Sequence, residues 1–270
     1  MRLHSSLTDL RVLVRGAGEM ASGIAHRLFR SHFRVAMTEV PQPLAVRRKV
    51  SFCEAVWDGT SEVEGVRGRR VETAAELDPV LDRGEIPVLV DPHLSCLATW
   101  GPHAVLDAVL AKRNLGTHRD MAELVVGFGP GFTAGVDADV VVETNRGHDL
   151  GRLIVDGSAQ PNTGVPGSTA GYTVERVLRC PGEGVLEGLA EIGDPVSRGQ
   201  AVARVGPVEL RAQIGGILRG LLRPGVRVHA GLKAGDVDPR GDRGMCFTIS
   251  DKARALGGSA LEALLSRFNG

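Results

Sequence analysis

The sequence has no surplus of positive charge: 32 Lys and Arg balance 32 Asp and Glu. Nucleic acid and anionic membranes attract a basic excess, so neither is expected as a partner. Aromatic residues are scarce, at 4%, which argues against platforms on which bases stack. No charge-free apolar run reaches the roughly 20 residues of a membrane span. The N-terminal MRLHSSLTD lacks the apolar stretch of a secretion signal, and a cytoplasmic protein is expected. Cysteines stand only at 53, 96, 180 and 246. They are too scattered for a Cys-x-x-Cys metal pattern and too few to staple so long a chain, so structural zinc and a disulfide framework are excluded. What is abundant is glycine, 36 of 270 residues against a usual ~7%, the mark of tight turns and close backbone approaches. With 43% apolar and 24% charged residues, the composition is globular and the length suits two domains.

Residues 11 to 15, RVLVR, are β-rich and end in Gly16-Ala17-Gly18. Met20, Ile24, Ala25 and Leu28 then follow at helical spacing, and FRVAMT (33 to 38) is β-rich again and runs into Glu39. This predicts a strand-helix-strand unit. Further strands are expected at 87 to 90, 124 to 128 and 140 to 143, giving an α/β, Rossmann-like parallel sheet over residues 1–172. Within it, residues 156 to 172 (DGSAQPNTGVPGSTAGY) draw 11 of 17 positions from Gly, Ser, Pro, Thr and Asn and read as a linker or functional loop. After it comes an internal repeat. Residues 184–205 align without gaps on 216–237, with eight identities that include Gly184/Gly216, Gly188/Gly220 and Gly193/Gly225. Two interlocked β-halves related by a pseudo-twofold axis are expected over 173–250, in the manner of a biotinyl/lipoyl-like β barrel-sandwich domain. The hairpin between the halves, VGPVEL, lacks the lysine that such domains modify, so neither biotin nor lipoate is expected. A helix should close the chain over 251–270.

The strongest local motif is Gly16-x-Gly18-x-x-Ala21 between a predicted strand and a predicted helix. Its first glycine allows the turn, its second lets a pyrophosphate reach the backbone, and its small third residue packs helix on strand. Glu39, 21 residues after Gly18, ends the next strand, where a carboxylate can accept hydrogen bonds from a ribose. An NAD-like dinucleotide or a molybdopterin-type ligand would suit such a site, although the Glu19 carboxylate would repel phosphate. Three later segments should meet it at the C-terminal ends of the strands: AKRNLGT, VVGFGPGFTAG and ETNRGH. From them Lys112, Arg113, Asn114 and Arg146 are candidates to meet phosphates, and the loop of Gly127, Gly129 and Gly131 to offer main-chain N–H groups. Cys96, with His93 nearby in sequence, is the one thiol with a plausible activator, and His148 is a further weak catalytic candidate. The alternative for Cys96 is a small core residue. Asp236, Asp238 and Asp242 have no standard cation-loop spacing and read as a solvated turn.

RGAGEMASGIAHRL, EVPQPLAVRRKVSFCEAV, VLAKRNLGT, VGFGPGFTAG, ETNRGHDLGR, GSAQPNTGVPG and GLKAGDVDPRG together resemble the YqeB family of selenium-dependent molybdenum hydroxylase system proteins. The resemblance implies an accessory role in maturing xanthine-dehydrogenase-like molybdenum hydroxylases. The chain would bind the molybdenum cofactor or a related pyrophosphate, assist selenium or sulfur installation, and meet the apo-hydroxylase as its partner. It also makes the PNTG and PG of the 156–172 stretch part of a motif. The competing reading is a nucleotide-dependent oxidoreductase or transferase with an appended structural domain. Self-association into a homo-oligomer is compatible with either.

Overall fold

In the computed structural model, which describes residues 6–269, RVLVR forms strand β1 (Arg11–Arg15), its three central residues wholly buried. Residues 1–5 of the MRLHSSLTD segment lie outside the described residues. Gly16, at φ +93°, turns the chain out of β1, a conformation open to glycine at little steric cost. Helix α1 (Glu19–Arg30) starts directly after Gly18 and buries Ala21, Ile24, Ala25 and Leu28. Strand β2 (Arg34–Glu39) then pairs parallel with β1, Arg15 opposite Thr38. Short helix α2 (Glu54–Asp58) precedes β3 (Thr60–Val63) and β4 (Val66–Val71). Helix α3 (Leu77–Asp82) leads to β5 (Ile86–Val90), and α4 (Leu97–Trp100) to β6 (Ala104–Asp107). Next come β7 (Leu124–Phe128), β8 (Thr133–Ala134), β9 (Val140–Val142), β10 (Leu153–Ile154) and β11 (Gly157–Ser158). Strands β8 and β11 form a two-stranded sheet of their own, and the other nine form one sheet in the order β10-β9-β7-β6-β1-β2-β5-β4-β3.

This corrects the expected parallel sheet. From β9 through β4 the strands are parallel, but β3 and β10 run antiparallel at the two edges and make the sheet mixed. At β3 the cause is local. Glu64 and Gly65 take φ 44° and 78°, the paired positive φ of a two-residue hairpin turn, and such a turn joins only antiparallel strands. Because β1 has β2 on one side and β6 on the other, the chain order reverses there. A crevice at the C-terminal ends of those strands is where an open α/β sheet receives a ligand.

The closing helix, α5 (Asp251–Phe268), is capped by Ser250, whose hydroxyl accepts the Ala253 N–H. It lies along α1 through glycines: a Cβ on Gly23 would stand 2.7 Å from that of Ala253, and one on Gly257 2.9 Å from that of Arg27. As 23 meets 253 and 27 meets 257, the helices run parallel and begin at the same end. Among the described residues no helix is long and apolar enough to cross a membrane.

The chain divides into two compact units, with boundaries unlike those expected. Helix α5 and the segments up to Pro43 and Phe52–Asn162 make the first; Leu44–Ser51 and Thr163–Thr248 make the second. The Gly/Pro-rich stretch is thus split near its middle. The second unit contains β12 (Val177–Arg179), β13 (Gly184–Gly188), β14 (Pro195–Val196), β15 (Ala201–Val205), β16 (Val208–Arg211), β17 (Gly216–Leu221), β18 (Arg227–Val228) and β19 (Lys233–Asp238). The repeated segments place β13, β14 and β15 at positions equivalent to β17, β18 and β19. Gly184 and Gly216 share φ +154°, and each half lends its two-residue strand to the other, β18 to β13 and β14 to β17.

The expected biotinyl/lipoyl-like barrel is also corrected. Hydrogen bonding gives two separate four-stranded antiparallel sheets, β12-β19-β17-β14 and β16-β15-β13-β18. The ladders stop because β14 runs at once into a turn closed by the Gln200 N–H on the Ser197 carbonyl, and β18 into one closed by the Leu232 N–H on the His229 carbonyl. Leu44–Ser51 joins this unit through Val46, whose carbonyl accepts the Leu221 N–H at 2.9 Å, and Arg48, whose Nε donates to the Leu221 carbonyl at 2.8 Å.

Candidate functional site

The turn after β1 is held from three sides. Gly16 N–H donates to the Thr38 carbonyl, and Ala17 N–H donates to Glu39 Oε2 at 2.8 Å. The Ala17 carbonyl accepts from Ser22 Oγ and from Cys53 N–H. A Cβ at Gly16 would stand 3.3 Å from the Val109 backbone, so this glycine lets the turns after β1 and β6 approach. Ala21 is fully buried where α1 meets the sheet. Gly18 differs. It caps α1 with no side-chain hydrogen bond, and a Cβ there would meet nothing within 4 Å. The backbone at the start of α1 therefore faces open space, with the positive end of the helix dipole behind it.

Glu39 sits at the level of this turn. Its second oxygen accepts the Val40 N–H at 2.8 Å. Burial raises its pKa against the lowering effect of the Val40 and Ala17 hydrogen bonds. Each carboxylate oxygen keeps acceptor capacity beyond its one backbone bond.

Across the crevice, Arg15 and Asp107 end β1 and β6. Arg15 Nη1 lies 3.1 Å from Asp107 Oδ2 and 2.8 Å from Thr117 Oγ1, the Thr117 hydroxyl donates to Asp107 at 2.6 Å, and Arg15 Nη2 reaches the Leu115 carbonyl at 2.9 Å. Sequence reasoning missed this buried pair. Its only trace is a charge closing each of two apolar strands. The 110–117 loop is tied further by Asn114, which accepts the Gly116 and Thr117 N–H groups and donates to Thr117 O and Asp137 Oδ1. Asn114 therefore organises the loop. Lys112 and Arg113 are exposed on it.

The three loop glycines pack the protein against itself. A Cβ at Gly127 would stand 2.5 Å from Phe132, at Gly129 2.6 Å from Thr144 Oγ1, and at Gly131 2.5 Å from the Arg113 backbone. Gly129 N–H is already given to the Val142 carbonyl. These residues shape the crevice wall, and Gly131 in particular seats the Lys112–Arg113 segment.

At the end of β9 the Glu143 carboxylate, 3% exposed, accepts the Asn145 N–H at 2.6 Å and the Gln160 N–H at 2.7 Å. Arg146 forms a two-bond pair with Asp251 at 2.7 and 3.0 Å. Lys252, unmarked by any sequence pattern, follows directly. Burial lowers its pKa and Arg146 lowers it further, against Glu19 and Glu143, which raise it; Lys112 acts in the lowering direction. Charges from three other segments thus act on one amine.

Cys96 lies in the apolar core, 3% exposed, and Asp91 Oδ2 accepts its backbone N–H at 2.8 Å. Burial and the neighbouring Asp91 carboxylate push its thiol up to about 12, so at neutral pH it is a thiol and not a nucleophile. His93 and His148 are exposed, and the group that holds Cys96 is Asp91 rather than His93. We expect Cys96 in the folded protein to resist alkylation at pH 8 and to react once the chain is denatured; mass spectrometry of iodoacetamide-treated native protein checks this, and rapid native labelling would contradict it.

The solvated turn expected at Asp236 and Asp238 is instead a buried ion network. Each is 1% exposed. Arg176 Nη1 donates to Asp236 at 3.0 Å, Arg219 bridges Asp236 and Asp238, and Arg240 Nη2 reaches Asp238 at 2.7 Å. Asp242 caps the next turn by accepting the Gly244 N–H. No group of three acidic, His or Cys side chains able to hold a metal occurs among the described residues.

No protein-family profile matches the chain. It is 49% identical over 254 residues to "Uncharacterized protein YqeB" of Escherichia coli (strain K12), a stretch that is 94% of this chain and 47% of that protein. Over that stretch the chain is similar to YqeB at nearly every second position. The chain spans about half the length of YqeB, so what the whole of YqeB does is a separate matter from what this half contributes. Among solved structures, the product-bound ectoine utilization protein EutE (DoeB) from Ruegeria pomeroyi is 12% identical over 85% of each chain, with a TM-score of 0.27. An aspartoacylase family protein from Mesorhizobium loti is 10% identical over 86% of this chain and 85% of its own, with a TM-score of 0.28. At that level of likeness their acylase names say nothing about the YqeB-like chain.

Proposed function

We propose that the first unit binds a molecule carrying a diphosphate, a nucleotide or a molybdenum-cofactor-type pyrophosphate, and that the chain is an accessory factor in the maturation of selenium-dependent molybdenum hydroxylases. The observation that carries the binding half is Gly18, an uncapped helix start whose missing side chain leaves open space. Glu39, fixed by two backbone N–H groups, suits the hydroxyls of a ribose. Val40 and Val109, 42% and 41% exposed, follow β2 and β6, the two neighbours of β1. Strands two positions apart are separated by about 10 Å, room for a flat base between apolar side chains.

The process half rests on the resemblance to the selenium-dependent hydroxylase system. In this reading the YqeB-like chain holds the pyrophosphate-bearing ligand while selenium or sulfur is installed, then delivers it to an apo-hydroxylase of the xanthine-dehydrogenase type. All four cysteines are buried, which favours a chain that positions the ligand over one that carries the chalcogen on its own thiol. Mass spectrometry of the native protein tests the proposal: a co-purifying pterin or nucleotide diphosphate is expected. The competing oxidoreductase or transferase reading draws on a buried carboxylate, Glu143, that acts electrostatically on the Lys252 amine. A nicotinamide or flavin dinucleotide bound without any pterin would favour it.

A further inference from the structure

The two halves of the repeat in the second unit treat one face differently. On β13, Val185, Glu187 and, just past its end, Leu189 alternate with buried Leu186 and share the outer face. Their equivalents along β17 are Ile217, Arg219 and Leu221. Val185 and Leu189 are 44% and 48% exposed, whereas Ile217 and Leu221 are 9% and 1%. The segment around Val46 covers the second half: a Cβ on Gly220 would stand 2.7 Å from Val46 Cγ1, and the Leu221 N–H donates to the Val46 carbonyl. The cross-strand ion pair recurs with its signs reversed. In the second half Arg219 pairs with buried Asp236, which Arg176 also reaches. In the first half Arg204 donates through Nε at 2.9 Å and Nη2 at 2.6 Å to Glu187, and both residues are exposed.

The charges on that exposed face form a pattern. In the sheet order β16-β15-β13-β18, Arg204 stands opposite Glu209 on one side and Glu187 on the other, and Arg227 stands opposite Val185. All four charged residues are exposed. From strand to strand the signs therefore read minus, plus, minus, plus. Against a uniformly acidic or basic surface, every second strand would be repelled. A copy of the same face, turned about a twofold axis that runs along the strands midway between β15 and β13, meets an opposite charge at every strand. Arg204 then faces the partner's Glu187, and Glu209 faces the partner's Arg227. Glu209 is also shared with Arg211 of its own strand, so Glu187 and Arg204 are the discriminating pair.

We propose that the outer face of the β16-β15-β13-β18 sheet is a self-association surface, through which two copies of this chain pair about a twofold axis. Such an axis requires a self-complementary patch, and the alternating charges supply one, with Val185 and Leu189 adding apolar area beside them. Four strands spaced ~4.8 Å and about five residues long offer a face of roughly 20 by 17 Å. That is small for a stable interface, so the dimer is weak and its formation depends on concentration. The surface lies wholly within the second unit and is independent of the ligand reading.

The test is sedimentation velocity of the full chain over a range of concentrations at low and high salt. Wild type is expected to show a monomer–dimer equilibrium that weakens as salt rises. Glu187→Arg and Arg204→Glu should each weaken self-association by roughly 10-fold or more, because each sets like charges against the partner. An equimolar mixture of the two variants should recover the dimer, since the basic face of one meets the acidic face of the other. The double exchange Glu187→Arg with Arg204→Glu keeps the pair within one chain and should dimerise as wild type does. Exposed ion pairs contribute little to folding, so melting temperatures close to that of wild type are expected and verify that the variants fold. Wild type that stays monomeric at every concentration overturns the inference. A dimer that both single substitutions leave unchanged, or a mixture and a double exchange that stay monomeric, overturns it as well.

Discussion

Replacing Gly18 by valine is expected to abolish binding of the diphosphate-bearing ligand while leaving the fold in place. Gly18 has φ −71° and ψ −176°, extended backbone that valine adopts readily, and its missing Cβ points into open space. Neither strain nor a clash follows. The cost to the helix is the loss of a tolerable cap, about 0.5–1 kcal/mol, a small drop in melting temperature. The cost to binding is of another order. Two methyl groups would occupy the volume through which phosphate reaches the start of α1, and a loss of roughly 100-fold or more, about 2.7 kcal/mol, is expected. The contrast with Gly16 is useful. There φ is +93° and the Val109 backbone is 3.3 Å from a Cβ, so a valine would disturb the fold itself and report nothing about the ligand. Calorimetry and thermal melting of Gly18→Val separate the two effects. Retained affinity in a folded Gly18→Val protein would make the turn purely structural.

The second large effect is expected in cells. Deleting the gene should leave a molybdenum hydroxylase that is made, folded and loaded with molybdenum but retains only a small fraction of its activity, because the labile selenium or sulfur ligand is missing. Enzymes of other molybdenum classes should keep theirs. Complementation with Gly18→Val should fail, whereas Cys96→Ser should restore activity, since a thiol held near 12 carries no chalcogen at neutral pH. The measurement is hydroxylase activity per molybdenum together with selenium content. Full activity with normal selenium in the deletion strain would remove the maturation role and leave a ligand-binding chain of other purpose.

What was legible in the sequence was local. The β1–α1–β2 unit followed from an apolar run, a glycine turn and helical spacing, and Glu39 fell at the strand end where the carboxylate does hold the turn. The repeat was visible because matched glycines such as Gly184 and Gly216 share one backbone conformation. Contacts made at long range left no such signal. Lys252 lies 233 residues from Glu19 in the chain, and only the packing of α5 along α1 brings the starts of their helices to the same end. Arg15 and Asp107 each looked like the ordinary end of a strand. Gly127, Gly129 and Gly131 resembled a ligand cradle because a glycine that admits Phe132 or the Arg113 backbone reads the same as one that admits phosphate. The fold class failed for a related reason: apolar runs reveal strands but not their direction, so the antiparallel edges and the separation of the second unit into two sheets were hidden. Leu44–Ser51 was assigned to the wrong unit because its docking through Val46 and Arg48 is made to residues more than 170 positions away.

The most direct measurement is calorimetric titration of ligand-free wild-type protein with NAD, FAD, cytidine nucleotides and molybdopterin. Saturable one-to-one binding of at least one diphosphate-bearing compound, lost in Gly18→Val, is the predicted result. Absence of binding to all of them by a folded wild-type protein would contradict the account and reduce the glycine turn to a device for packing α1 on its sheet.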